Sequence, residues 1–236
     1  NNLAVSLGAD PLEFKRSYIP RSGAATITGG TVHGEPPVDL LVERLREISR
    51  FDENPNRGGR FHEGKLRGLG FSLFKHGCGF TGSGERDKIK AVVRLRKTSD
   101  NMVHILVSST EMGQGSQTTL RKIAAETIGI PLDQVFCPLP DTDSVPDSGP
   151  TVASRTAMVV GELVQRAART LKESWQAGAE TAAEERYRQP EGIEWDQETF
   201  TGDAYPDYSW GANCAEIAVD PLTGETEITG FWAVYD

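Results

Sequence analysis

The chain has 236 residues, enough for one large domain or two small ones with cores of their own, and carries a formal net charge of −9 with 37% hydrophobic residues. Its mean hydropathy is −0.40, and it shows neither a run of about 18 apolar residues nor a charged-then-apolar amino-terminal signal, so a soluble, cytoplasmic chain with no membrane contact is expected. The acidic balance, without clustered Lys and Arg, argues against a nucleic-acid or anionic-membrane surface.

From the amino-terminus, Leu3, Leu7 and the turn at Gly8 read as the end of a helix, and Asp10-Pro11 as the capped start of another. Tyr18 to Pro37 is a loop by its Pro and Gly content, and Val38, Leu41, Val42, Leu45 and Ile48 mark an amphipathic helix ending near Phe51. After a second loop, Leu66–Phe74, Gly77–Gly82, Ile89–Leu95 and Met102–Val107 read as strands of an antiparallel meander, with hairpin turns at Ser83–Asp87 and Ser99–Asn101. A long helix is expected from Ala153 toward Arg186, then an irregular lobe over Gln189–Tyr208, then a hairpin of Trp210–Val219 and Glu225–Tyr235. The fold class is α+β, with antiparallel strands leading into strand–turn–helix units. The expected division is residues 1–63, helical segment and linkers, and 64–236, a main lobe whose last strand is unfinished.

Two strand–turn–helix units dominate the middle. The first runs from Met102–Val107 through Glu111-Met112-Gly113-Gln114-Gly115 into a helix with Leu120, Ile123, Ala124 and Ile128; the second from Val135-Phe136-Cys137 through Asp147–Ser154 into a helix with Met158, Val159, Leu163, Ala167 and Leu171 inward. Each helix start offers unpaired N–H groups and partial positive charge, suited to a phosphate. Glycine at such a turn also serves tight packing, so the geometry alone identifies no ligand. The glycines match neither a dinucleotide fingerprint nor a P-loop. Cys78, Cys137 and Cys214 form no disulfide framework or Cys-x-x-Cys site, and the four histidines have no ligand spacing, so no protein-ligated metal is assigned.

The residues themselves carry more. Thr110–Gly115, Ile123–Glu126 with Gly129-Ile130-Pro131, Asp141-Thr142 and Gly149–Arg155 resemble, in order and spacing, the molybdenum-cofactor subunit of the xanthine dehydrogenase and aldehyde oxidase family. The resemblance reaches upstream to Leu7–Phe14 and downstream to Ala215–Asp220 and Thr223–Glu225, and its strongest element is the Met-Gly-Gln-Gly and Gly-Pro-Thr-x-Ala-Ser pair. It implies a molybdopterin-binding lobe in residues 64–236, acting in oxidation of an N-heterocycle or aldehyde with water as oxygen source. The cofactor implied is molybdopterin or its cytosine dinucleotide, with iron–sulfur clusters and FAD on other domains or subunits, and a companion chain or flanking segment completing the site.

Carried over by motif, Gly113, Gln114 and Gly115 would approach the cofactor, and Thr151, Ser154 and Thr156 would donate to its phosphate or pterin end. Simple helix capping is the other reading of those hydroxyls. Gln114, an amide between two glycines, makes no obvious contribution to the fold. Phe80 and Thr81 would line the substrate slot, opposite Val152 and Ala153. The family's catalytic glutamate lies in a Gly-Glu step beyond Asp236; Gly84-Glu85 and Gly161-Glu162 lack its context, so the catalytic residue is left unassigned. A non-catalytic scaffold of the same fold and an unrelated anion-binding α+β module are the competing readings.

Overall fold

The structure, a computed structural model, describes residues 1–236. Its helices are α1 (Asn2–Ser6), α2 (Pro11–Ser17), α3 (Val38–Ser49), α4 (Ser116–Ile128) and α5 (Gly161–Glu173), the last preceded by a π-helical turn over Thr156–Val160; a second π-turn covers Glu85–Ile89. The strands are β1 (Arg60–His62), β2 (Lys65–Gly77), β3 (Val92–Lys97), β4 (Val103–Leu106), β5 (Val135–Phe136), β6 (Thr181–Arg186), β7 (Trp195–Asp196), β8 (Thr201–Gly202), β9 (Tyr208–Val219) and β10 (Thr226–Tyr235). The chain divides into two units, Asn1–Gly77 with Asp207–Asp236, and Cys78–Pro206.

In the first unit the strands lie in the order β1-β2-β9-β10, all antiparallel. Asp10 accepts from the N–H groups of Leu12 and Glu13 at 2.9 and 3.1 Å and so starts α2. The apolar stripe of α3, Val38, Leu41, Val42 and Leu45, is buried against the sheet with Phe71, Leu73, Trp210, Ala212 and Cys214. Arg50, at φ 48°, turns the chain out of that helix.

In the second unit the order is β5-β4-β3-β6, with β4 and β5 parallel and the other pairs antiparallel. Helices α4 and α5 supply Leu120, Ala124, Leu163, Val164, Ala167 and Leu171 to a core shared with Val93, Leu95 and Ile105. Burying each such leucine contributes about 1.5–3 kcal/mol. The inward stripe expected of α5 is present, except that Met158 is only half-buried.

Several expectations are corrected. The strands after residue 64 form no meander: β2 pairs with β9 from Leu66 opposite Val219 to Gly77 opposite Tyr208, whereas β3 joins a separate sheet. The boundary at residues 63 and 64 therefore falls inside the first unit, since strand pairing joins both ends of the chain. The strand expected over Gly77–Gly82 ends at Gly77, and the hairpin turn at Ser83–Asp87 is instead the start of a π-turn that buries Glu85. Finally, the long helix stops at Glu173, and Thr181–Arg186 is a strand on β3. Although Ala, Glu and Arg favour helix, the chain turns at Gly178, φ 75°, beyond the helix end, and the strand is held by pairing to β3 with Arg94–Glu184 and by the Arg166–Glu185 ion pair to α5. The irregular stretch after it carries only the two-residue strands β7 and β8.

Candidate functional site

The site is built from two loops of the second unit. Beyond β4 and the buried Val107, the chain runs through Ser108–Gly115 into α4; beyond β5 it runs through a long loop into the π-turn at Thr156. Hydroxyls stitch the loops together. Ser108 N–H donates to Ser148 Oγ at 3.1 Å, Ser148 N–H donates to Ser108 Oγ at 2.8 Å, and Thr110 N–H donates to Thr151 Oγ1 at 2.8 Å. Ser148 is fully buried and its hydroxyl donates to the Val92 carbonyl at 2.8 Å, which ties the pair to the sheet.

The first loop wraps around Glu111. One carboxylate oxygen accepts from the N–H groups of Gly113 and Gly115 at 2.8 and 2.9 Å; the other accepts from Gln117 N–H and Ser116 Oγ, both at 3.1 Å. Those backbone N–H groups, of Gln117 and Gly115 above all, hold its carboxyl down at about 2. Gly113 and Gly115 adopt φ 101° and 78°, and Gly115 is the residue on which α4 begins. The start of α4 is therefore already neutralised by the chain's own anion. Gln114 turns back on the same loop: its Nε2 donates to the Thr110 carbonyl at 2.7 Å and to Ser116 Oγ at 3.1 Å, and its Oε1 accepts from Met112 N–H at 2.5 Å. The amide does contribute to the fold, contrary to the sequence reading.

The second loop is organised by Arg155, whose side chain is wholly buried. Its guanidinium grips Glu85 with two bonds, Nε to Oε1 at 2.6 Å and Nη2 to Oε2 at 3.0 Å, and Nη1 donates to the carbonyls of Ser148 and Pro150 at 2.8 and 3.1 Å. Gly149, between those carbonyls, sits at φ 78°, and a Cβ there would lie 2.3 Å from Ile89 Cγ2. Glycine is required by both conformation and space. Gly149 precedes the helix start by a loop, and Thr151 holds the neighbouring loop rather than capping the helix.

Between the loops lies a groove of about 370 Å³ lined by Met112, Gln114, Ser116 and Thr119 on one side and by residues 151–157 on the other. It brings together Gln114, Thr151, Val152, Ala153, Ser154 and Thr156, with Gly113 and Gly115 framing Gln114. Ala153 and Ser154 are both left-handed, at φ 54° and 52°. Phe80 and Thr81 do not line the groove: Thr81 donates to the Tyr205 hydroxyl at 3.0 Å, and Phe80 packs on Gly84. Another groove, of about 450 Å³ between α4 and α5, is lined by the ends of Glu126, Arg169, Lys172 and Glu173, which form a solvated helix surface.

Glu111 and Arg155 are the residues that sequence reasoning missed. The only local signal was an acid beside a Gly-x-Gly turn and a single arginine within a run of small and hydroxyl residues. The Gly-Glu steps are accounted for, since Glu85 is committed to Arg155 and Glu162 is exposed on α5.

The lining offers hydroxyls and one amide, and its one guanidinium, that of Arg155, is paired with Glu85. Beside it, at the base of the loops, the buried Ser109 Oγ has no hydrogen-bond partner. No cluster of three or more His, Cys, Asp or Glu is placed to hold a metal ion, and no helix is long and apolar enough to cross a membrane. Such an uncharged polar lining fits a polar ligand.

These features define a cofactor-binding domain of mixed helix and sheet. The sequence matches the molybdopterin cofactor-binding domain family over residues 44–190 and 174–236, and the chain belongs to that family. It is 31% identical to the xanthine dehydrogenase/oxidase of Gallus gallus over 95% of this chain and 18% of that protein, and 25% identical to a nicotinate hydroxylase of Emericella nidulans over 94% and 18%. Among solved structures, the aldehyde oxidoreductase of Desulfovibrio desulfuricans matches with a TM-score of 0.74 at 20% identity, over 100% of this chain and 27% of that one. A Cu,Mo-CO dehydrogenase matches with 0.72 at 18% identity, over 99% and 35%. The chain spans about a fifth of the length of the curated relatives it matches. The molybdenum-hydroxylase resemblance and the α+β class read from the sequence are borne out.

Proposed function

We propose that this chain forms part of the molybdenum-cofactor cradle of a hydroxylase that oxidises an N-heterocycle or an aldehyde with water as oxygen source. The observation that carries the reading is the convergence of Gln114 with Thr151, Ser154 and Thr156 on one groove of uncharged polar groups. The cofactor, molybdopterin or its cytosine dinucleotide, supplies the redox chemistry when bound. The chain's own residues then bind and orient it. The ligand's phosphate meets the residues of 151–157, whereas the start of α4 is filled by Glu111. Gln114 has committed both amide protons to its own loop, so it faces the ligand with a lone pair of Oε1 and selects a donor on the pterin. Val152 and Ala153 give the groove a small-residue wall toward the substrate.

No carboxylate lines the groove, so the proton acceptor comes from another segment or chain, as do iron–sulfur and flavin centres. That same lack is what a non-catalytic scaffold of this fold would show. Elemental analysis of the purified full-length protein separates the two: molybdenum and phosphorus are both expected in stoichiometric amounts, and neither would accompany a scaffold. Replacing Gln114 by Ala is expected to lower molybdenum content severalfold while costing only about 1 kcal/mol of stability, the net worth of exposed hydrogen bonds. Unchanged molybdenum and turnover in that variant would count against the assigned role.

A further inference from the structure

We propose that Glu111 is a positioning residue: its carboxylate stands in for a ligand anion at the start of α4 and thereby fixes the Gln114 amide on the groove. The two N–H groups that meet Glu111 Oε1 belong to Gly113 and Gly115, which flank Gln114, so the loop carrying the amide is closed around this one carboxylate. The second oxygen sets the amide's polarity. Ser116 has one hydroxyl proton, directed at Glu111 Oε2, so what it shows Gln114 Nε2 is a lone pair. With the Thr110 carbonyl taking the other amide proton and Met112 N–H meeting Oε1, a flipped amide would set N–H against N–H and carbonyl against carbonyl. Glu111 is thus linked to Gln114 by two hydrogen bonds in series through Ser116 and by one hydrogen bond to each of the flanking glycines. The same carboxylate fills four donors that would otherwise attract a phosphate, so a ligand anion in the groove meets the residues of 151–157 instead.

The proposal rests on reading the groove as a cofactor cradle, and its test is arranged so that the two can fail separately. In the full-length protein, Glu111→Ala empties the four donors, and a small carboxylate such as formate can refill them. The expected result is a loss of molybdenum content of about tenfold, partly restored when the variant is matured in excess formate and not in chloride at equal ionic strength. Wild-type molybdenum content in Glu111→Ala, or a loss that formate fails to mend, would overturn it. If the wild-type protein itself carries no molybdenum, the cradle reading fails, and Glu111 is judged by crystal structures of the variant with and without formate. Gln114 displaced without formate and back in place with it supports the positioning role; Gln114 unmoved in both refutes it.

Discussion

Glu111 and Gln114 form a single turn whose two side chains are hydrogen-bonded to their own loop before any ligand arrives, and the Glu111 carboxylate makes the turn sensitive to pH. The folded state holds the Glu111 carboxyl at about 2, against a usual glutamate value of 4.5, because backbone N–H groups favour the charged form. A depressed value means that the stabilisation is fully present above 4.5 and is lost as pH falls through about 2. The difference in Tm between the wild-type protein and Glu111→Gln is therefore expected to be constant near neutrality, to shrink below pH 4.5 and to close toward pH 2. A difference that persists unchanged down to the acid end would show that the carboxylate's charge is not what holds the loop. The cap at Asp10 was legible in the sequence, since its bonds reach only two and three residues ahead. Gly115 was legible too, because a glycine before an apolar-periodic run is a local signal. Glu111 was not, because its use depends on a tight left-handed turn that folds the chain back on it.

At the level of elements, the ion pair of Arg155 and Glu85 joins the π-turn at Glu85–Ile89 to the groove loop across 70 residues of sequence. Both side chains are buried, so removing one partner strands the other's charge. Arg155→Met and Glu85→Gln are each expected to cost about 3–5 kcal/mol of stability, read by denaturant unfolding of the full-length protein. A loss below about 1 kcal/mol in both would mean that the pair is solvated and the loop is held by its hydroxyl stitches alone. The same distance in sequence explains what the periodicity could not show. Helix α5 announced itself by its apolar stripe, yet its end did not, because Thr181–Arg186 has helical composition and becomes a strand only by meeting β3. The turn before it closes over Lys97, which is buried, donates to the Ala179 carbonyl at 2.6 Å and lies 4.9 Å from the Trp175 ring. No pattern around Lys97 signals that contact.

For the whole molecule, strand pairing across the sequence decided the division into units, and nothing local distinguishes β2 as a partner of β9 from a strand of a meander. What the first unit leaves open is equally visible: β10 pairs on one side only, and its Ile228, Phe231 and Tyr235 are exposed while Trp232 and Val234 pack inward. The last expectation concerns chemistry. A general base has to lie within hydrogen-bond reach of the proton it takes, and the residues around the groove present an amide, hydroxyls, small apolar groups and one methionine. The two carboxylates that hold the groove loops are engaged, Glu111 by four donors and Glu85 by Arg155. These 236 residues alone, loaded with molybdenum cofactor and offered an aldehyde or an N-heterocycle, are expected to bind cofactor weakly and to give no turnover. Activity is expected to return only with the segment or chain that brings a carboxylate to the groove, and steady-state oxidation by the 236-residue chain without it would show that a base has been overlooked among the residues described.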